Sequence, residues 1–188
     1  VCELKYDGVA IGIRYVNGAL TQAVTRGDGT QGDEITNNVR TIKSIPLQLT
    51  GNVPSDFEIR GEIVLPHLAF NLLNEKRLEE DLPLFANPRN CASGSLKLQD
   101  SNEVARRGLD AYLYYVLPEG VLSSHHSSAI AAAGSLGFKV PLVQNKFIAT
   151  CSGIDDIMSF INYWDVERKK LPFDIDGIVI KVDSYEAQ

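Results

Sequence analysis

Two alternating segments near the start of the 188-residue chain constrain its fold most strongly. Apolar and polar residues alternate over residues 4–15 and again over Ala19–Thr25, and Asn17-Gly18 stands between the two segments. This alternation predicts β-strands, and Asn-Gly between such segments predicts a tight hairpin turn. Three further strands are predicted at Asp56–Val64, 109–117 and 177–182. Because most strands follow one another through hairpins, with helices inserted between them, the sequence predicts an α+β fold of antiparallel sheets flanked by helices.

The segments between the predicted strands carry helix signals. Asn87 resembles an N-cap followed by proline at the first helical position, which predicts a helix over Pro88–Leu96. Pro66 is expected at the first position of a helix that carries Leu68, Leu72 and Leu73, and Ser124 is expected to cap a helix that ends near Gly137. A short helix is predicted over 34–40. A last helix is predicted to bury one apolar face formed by Ile154, Ile157, Met158, Ile161 and Trp164.

Composition excludes some classes of protein. The net charge of -6 gives no overall positive field, so any contact with DNA would come from a local patch or from another part of the protein. The sequence contains neither an apolar run long enough to span a membrane nor a signal peptide. Cys2, Cys91 and Cys151 are far apart and odd in number, and with the three histidines they show no zinc-ligand spacing. We therefore expect a cytoplasmic protein without disulfides and without membrane partners.

The tetrad Lys5-Tyr6-Asp7-Gly8 is the strongest chemical signal. Alternation places Glu3, Lys5 and Asp7 on one face of the first strand, so that one lysine lies between two carboxylates. A lysine in a partly desolvated pocket can lose its proton and act as a nucleophile. The same four residues also suit a surface lysine on an edge strand, and the tetrad alone does not separate the two interpretations.

Longer strings carry a family resemblance. Glu3-x-Lys5-x-Asp7-Gly8 resembles the signature of the covalent nucleotidyltransferases, which include DNA ligases, RNA ligases and capping enzymes. Four other strings look like the bacterial NAD-dependent DNA ligases: Thr25-Arg-Gly-Asp-Gly-Thr-Gln-Gly32, Arg60-Gly61-Glu62, Phe85-Ala-Asn-Pro-Arg-Asn-Cys-Ala-Ser-Gly-Ser-Leu96 and Leu171-Pro-Phe-Asp-Ile-Asp-Gly-Ile-Val-Ile-Lys181. They follow the family's order and cover essentially the whole chain. The resemblance implies a single adenylation domain over residues 1–188, with the nucleotidyltransferase (ATP-grasp-like) fold.

The resemblance also implies a reaction in three steps, in DNA replication and repair. Lys5 would attack the α-phosphate of NAD, release nicotinamide mononucleotide and hold AMP as a phosphoramidate. AMP would then pass to the 5′-phosphate of a DNA nick, and the 3′-hydroxyl would displace AMP and seal the strand. NAD is the implied AMP donor, with Mg²⁺ (or Mn²⁺) on the phosphates.

Roles carry over to the positions that match the family's motifs. The catalytic positions are Lys5, Asp7, Arg89, Arg168 and Asp176. The nucleotide-binding positions are Glu3, Arg26, Glu62, Tyr114 and Lys181. By resemblance, Arg26 lies near the phosphate and ribose, Glu62 accepts from the ribose hydroxyls, and Tyr114 stacks on adenine. No metal site built from protein residues is expected.

Several assignments have alternatives. Tyr112 lies on the same strand face as Tyr114 by alternation and competes for the stacking role. Arg168 begins a basic run that would equally complement the end of a helix. Lys97 stands where the family commonly has arginine, and lysine lacks the fork that grips phosphate with two hydrogen bonds.

The ends of the chain resemble those of a piece of a larger, multidomain ligase. The family's nicotinamide-recognising segment, oligonucleotide-binding barrel and zinc finger would then lie outside it, and zinc is expected only there. The full-length protein is expected to act on nicked duplex DNA, while this piece would be a monomer that binds NAD or AMP without sealing a nick. Two other classes stay open: an ATP-using ligase or capping enzyme, against which the string over 85–96 weighs, and a nucleotide-binding module without turnover.

Overall fold

The computed structural model describes residues 1–27 and 31–188. Its strands are β1 (Cys2–Tyr6), β2 (Val9–Val16), β3 (Ala19–Thr25), β4 (Asp56–Val64), β5 (Asp110–Leu117), β6 (Ile148–Ala149) and β7 (Ile175–Ile180). Its helices are α1 (Thr36–Val39), α2 (His67–Glu79), α3 (Pro88–Leu96), α4 (Ser101–Arg106), α5 (His126–Ser135) and α6 (Ile154–Glu167). Single turns of 3₁₀-helix cover Val143–Asn145, Arg168–Lys170 and Tyr185–Ala187. The loop predicted over 26–33 includes Asp28, Gly29 and Thr30, which lie outside the described residues.

The strands form two antiparallel sheets. The smaller sheet has the order β6-β1-β7, and the larger sheet has the order β3-β2-β4-β5. The predicted hairpin joins β2 to β3, and Asn17 and Gly18 both take positive φ angles, of 49° and 79°. The predicted α+β class, with antiparallel sheets flanked by helices, is therefore confirmed.

The prediction of one strand over residues 4–15 is wrong, because the chain changes sheets at Asp7-Gly8. β1 pairs with β6 and β7, whereas β2 pairs with β3 and β4. At the crossing the Asp7 amide donates to the Asp174 carbonyl at 3.0 Å. A Cβ at Gly8 would lie 2.1 Å from the Ile63 carbonyl oxygen, so only glycine lets β2 start this close to β4. The signature tetrad thus spans the junction between the sheets.

Two β-bulges lie beside this junction. Lys5 pairs with Gly177 and Tyr6 pairs with Ile175, which leaves Asp176 as the extra residue on β7. Between β4 and β5, Arg60 pairs with Tyr115 and Gly61 with Leu113, which leaves Tyr114 as the extra residue on β5. A bulge changes the direction of a side chain relative to simple alternation.

Three apolar clusters hold the fold together. The largest covers one face of the four-stranded sheet and includes Ile13, Tyr15, Ile59 and Leu113. A second cluster packs β1 against α6, the segment after α6, and the strands β4 and β5. It consists of Cys2, Leu4, Tyr6, Val64, Tyr112, Phe160, Trp164, Leu171 and Phe173. A small third cluster places Cys91 and Ala92 of α3 against Leu65. The strand with the lysine is therefore packed on its apolar face while Lys5 stays exposed.

The N-cap predicted for α3 is confirmed, because the Asn87 side chain accepts from the Asn90 amide at 2.8 Å. Two other starts differ from the prediction. Pro66 is the N-cap of α2 and not its first residue, and His125, not Ser124, precedes α5, which has no side-chain cap. The last strand ends at Ile180, one residue before Lys181.

The apolar faces predicted for two helices are only partly buried. In α2, Leu68 and Leu72 are 72% and 55% exposed, and no residue of that helix is buried. In α6, Phe160 and Trp164 are buried, whereas Ile154 and Met158 of the predicted face lie in solvent. The buried face of α6 is narrower than predicted, because only the middle and end of the helix contact β1 and the segment that follows α6.

Candidate active site

A cavity of about 710 Å³ opens between the two sheets and α3. This volume lies within the usual range of about 300–1,000 Å³ for small-molecule sites. Its basic lining residues are Lys5, Arg26, Arg89, Lys97 and Lys181, and its acidic ones are Glu3, Asp33 and Glu62. The cavity therefore carries an excess of basic side chains in a chain of net charge -6, which suits an anionic ligand.

Lys5 lies at the mouth of the cavity, and its amine is held by the carboxylate of Asp176, the extra residue in the β7 bulge. The Lys5 Nζ donates to both oxygens of Asp176 at 2.7 Å. Their side chains are 54% and 37% exposed, so an incoming anion can reach the amine from solvent. The pair orients the amine, and a phosphate that binds here must compete with Asp176 for it.

Glu62 of β4 and Tyr114 of β5 form a hydrogen-bonded pair inside the cavity. The Tyr114 hydroxyl donates to Glu62 Oε2 at 3.0 Å. Burial raises the pKa of Glu62 to about 7, although the hydrogen bond from Tyr114 and the charges of Arg89 and Lys5 lower it in part. Burial and the neighbouring carboxylate also raise the pKa of the Tyr114 hydroxyl, which keeps it a donor. Glu62 thus changes charge near neutral pH.

A second buried carboxylate lies on β1. Glu3 is almost fully buried, and Lys181 Nζ donates to its Oε2 at 2.9 Å. Its Oε1 forms a hydrogen bond with Nε2 of His126, a residue of α5. Burial alone would raise the pKa of Glu3, but the hydrogen bond with His126 and the charge of Lys181 outweigh burial and hold it below its ordinary value. Glu3 is therefore an ionised acceptor on the cavity wall.

Two further basic side chains are held at the rim by ion pairs. Arg89 of α3 donates from Nη1 to Asp7 Oδ1 at 3.2 Å, and Lys97 Nζ lies 2.8 Å from Asp33 Oδ2. The backbone of Arg26 is fixed where it leaves β3, because its amide donates to the Ala10 carbonyl at 2.9 Å. These contacts place positive charge around the cavity without filling it.

The structure brings most of the predicted site residues together. Seven line the cavity: Lys5, Arg89, Glu3, Arg26, Glu62, Tyr114 and Lys181. Asp7 and Asp176 adjoin it through their ion pairs with Arg89 and Lys5. Arg168 does not join them: it lies exposed in the 3₁₀ turn after α6, and its side chain has no hydrogen bond or ion pair within residues 1–27 and 31–188.

The structure also distinguishes the two candidate tyrosines by position. Tyr114 lines the cavity, whereas Tyr112 is buried, stacks on Tyr6 with ring centroids 4.6 Å apart, and carries the Lys139 ammonium over its ring. The bulge at Tyr114 accounts for this difference between two residues that alternation places on one face.

His126, Asn90 and Ser93 contribute to the site or its support but were not identified from the sequence. Asn90 and Ser93 lie in the string over 85–96. Ser93 is four residues from both Arg89 and Lys97, and Asn90 is three residues before Ser93, and this helical spacing is the signal that could have found them. The tandem histidines at 125 and 126 offered no comparable signal, since the contact of His126 with Glu3 joins residues 123 positions apart.

Within the described part of the chain, no three His, Cys, Asp or Glu side chains are grouped as metal ligands. In the same residues, each helix is too short or too polar to cross a membrane.

Comparison with known proteins agrees with this geometry. Residues 1–188 match the family model described as the NAD-dependent DNA ligase adenylation domain. The chain is similar to proteins named DNA ligase from Parabacteroides distasonis (53% identical over 189 residues), Azobacteroides pseudotrichonymphae (53% over 188) and Christiangramia forsetii (48% over 188). In each case the match covers 100% of this chain and 28% of the relative, so the chain spans less than a third of the length of these curated relatives. The chain belongs to the family of NAD-dependent DNA ligase adenylation domains.

Proposed function

We propose that the protein is an NAD-dependent DNA ligase and that this domain forms the enzyme–adenylate with Lys5 as the nucleophile. The observation that carries the proposal is the position of Lys5 at the mouth of a basic cavity whose inner wall presents Glu62 and Tyr114. The proposed activity belongs to the full-length protein, which in the relatives is more than three times as long as this chain.

In the first step, the neutral amine of Lys5 attacks the α-phosphorus of NAD. A nitrogen–phosphorus bond forms, the bond to the bridging pyrophosphate oxygen breaks, and nicotinamide mononucleotide leaves with the electron pair, while the attacking nitrogen releases one proton to solvent. Asp176 holds the Lys5 amine in place until the phosphate arrives, as the two 2.7 Å hydrogen bonds indicate. The cationic side chains of Arg26, Arg89 and Lys181 are suited to stabilise the charge on the phosphate.

The nucleoside part of the substrate is proposed to bind deeper in the cavity. The ring of Tyr114 offers a face for adenine, and Glu62, when ionised, accepts hydrogen bonds from ribose hydroxyls. Because the pKa of Glu62 is about 7, nucleotide binding at pH 6 would take place with release of a proton.

Mg²⁺ is proposed to accompany the phosphates. Mg²⁺ usually keeps several waters and binds one or two carboxylates together with substrate phosphates. Glu62 and Asp176 are the available carboxylates near Lys5, and the ion would neutralise phosphate charge.

The later steps concern DNA and therefore the full-length protein. We propose that AMP passes from Lys5 to the 5′-phosphate of a nick and is then displaced by the 3′-hydroxyl. Arg89 and Lys97 at the rim are suited to contact nick phosphates, and Arg168 is proposed to do so from outside the cavity. We further propose a cytoplasmic monomer, consistent with three cysteines that form no disulfide.

The experiment measures AMP attachment to the full-length protein by intact mass after incubation with Mg²⁺ and either NAD or ATP. We expect one adenylate per molecule from NAD and none from ATP, and none at all in Lys5→Ala or Lys5→Arg, because arginine cannot supply a neutral amine. Lys76→Arg, on the exposed face of α2, is the matched control and should react normally. Adenylate mapped to another lysine, or transfer from ATP alone, would contradict the proposal.

A further inference from the structure

His126 is a fully buried titratable side chain behind the cavity, and the proposed reaction does not use it. It is 0% exposed and does not line the cavity, yet it forms a hydrogen bond with Glu3, which does. Such a residue can act on a substrate only through the cavity residues that it contacts, and Glu3 is the one to which it is hydrogen-bonded directly.

The contacts of the ring fix its orientation. Nε2 lies against Glu3 Oε1, while Nδ1 lies 3.4 Å from the Tyr185 hydroxyl. Since Glu3 is ionised and can only accept, Nε2 is the donor of this hydrogen bond, and Nδ1 faces the Tyr185 hydroxyl. Lys181 Nζ is 3.4 Å from the same Nε2 and donates to the other Glu3 oxygen. Each oxygen of the buried carboxylate therefore has its own donor.

The backbone holds His126 in place independently of the cavity. Its amide donates to the Asp183 carbonyl at 2.7 Å, and the next residue, Ser127, bonds both oxygens of the Asp183 side chain from its amide and hydroxyl. The start of α5 is thereby attached to the segment that follows Lys181. His126 thus joins three parts of the fold: β1, α5 and the chain after β7.

We propose that His126 is a positioning residue for adenylation. This inference rests on the proposed function. By donating to Oε1 it sets the plane of the Glu3 carboxylate and keeps Oε2 directed at Lys181, so that both groups face the nucleotide in one fixed arrangement. Without this donor the buried Oε1 loses its partner. The carboxylate is then free to turn toward Lys181, which draws the ammonium away from the bound nucleotide.

The test compares His126→Leu, which removes the donor, with His126→Gln, whose amide restores one, in the full-length protein. His125→Gln, in the exposed neighbour that precedes α5, is the matched control. The measurements are the KM for NAD in the adenylation reaction and, separately, the fraction of molecules that accept AMP at saturation.

We expect His126→Leu to raise the KM for NAD about tenfold with an unchanged AMP-accepting fraction, because a hydrogen bond to a charged group is lost. His126→Gln should recover most of the wild-type KM, and His125→Gln should match wild type. A purely structural role would instead lower the accepting fraction and leave the KM of the folded molecules unchanged, which would overturn the proposal.

His126→Asn covers the case in which leucine prevents folding. Its amide is smaller and polar but too short to reach Glu3, so we expect the same rise in KM, and a wild-type KM in this variant would also overturn the proposal. Wild-type protein that takes no AMP from NAD would overturn the proposed function and this inference with it. Normal adenylation of wild type, with equal KM in every variant, would overturn the inference alone.

Discussion

Replacing Glu62 by glutamine should stabilise the protein above neutral pH. The carboxyl is buried in the folded chain and its pKa is about 7, compared with an ordinary value of 4.5. The unfolded chain therefore binds fewer protons than the folded chain between these two values, so stability falls as the pH rises from about 4.5 to 7 and the loss is complete above 7. Glutamine resembles the protonated carboxyl in shape and carries no charge to bury.

The size of the effect follows from the two pKa values. Their difference, at about 1.4 kcal/mol for each tenfold step, corresponds to about 3 kcal/mol. Because the Glu62 side chain is partly open to the cavity, solvent screening reduces this figure, and we expect about 2 kcal/mol. Glu62→Gln should therefore be more stable than wild type by only about 0.5 kcal/mol at pH 5, and by about 2 kcal/mol at pH 8.

The assay is urea unfolding of the 188-residue chain followed by circular dichroism, at half-unit steps of pH from 5 to 8. Glu58→Gln is the matched control, since Glu58 lies on the same strand, is 36% exposed and pairs with Arg60 at the surface. The difference in stability between Glu62→Gln and wild type must grow as the pH rises toward 7 and level off above the pKa of Glu62. A constant difference across the range would refute the argument that burial perturbs this carboxyl.

Three further predictions concern the same region. Gly8→Ala should lower the free energy of unfolding by about 3 kcal/mol, because the added Cβ would meet the Ile63 carbonyl. Gly94→Ala is the control and should not lower it, because no atom lies within 4 Å of the added Cβ. Equal effects of the two substitutions in urea unfolding would contradict this prediction. Lys181→Ala should reduce AMP transfer per folded molecule much more than it changes the thermal midpoint, and the reverse result would make Lys181 structural. Tyr114→Phe removes a hydrogen bond that lowers the pKa of Glu62, so the midpoint of the pH-dependent stability should move to higher pH, and an unchanged midpoint would contradict the assigned contact.

Local patterns were sufficient to predict most of the elements. The Asn17-Gly18 turn and the Asn87 cap act within a few residues, and both appear in the structure as the sequence indicated. The change of sheets at Asp7-Gly8 could not be predicted from neighbouring residues. It depends on the close approach of Ile63, which lies on a strand more than 50 residues further along the chain. Alternation continues across that point, so the sequence favoured one long strand.

The candidate site shows the same limit more clearly. Motif strings identified Lys5, Glu62 and Tyr114 as candidates, but the direction of two key side chains depends on bulges. Asp176 and Tyr114 are each the extra residue in their strand pair. The alternation of apolar and polar residues in a strand does not show where a β-bulge inserts an extra residue. For that reason the sequence assigned the stacking role to Tyr114 but left Tyr112 as a competing candidate.

The position of Lys5 on β1 bears on the timing of the reaction. β1 is the middle strand of its sheet: Glu3 pairs with both neighbouring strands, and Lys5 pairs with Gly177. With the backbone fixed in this way, the amine can exchange Asp176 for a phosphate by rotation about its side-chain bonds alone. Exposed side chains change rotamer in about picoseconds to nanoseconds, whereas domains move in about microseconds to milliseconds. In the proposed reaction, delivery of the Lys5 amine to the phosphate is therefore fast, and a slow conformational step would arise in parts of the protein other than this strand.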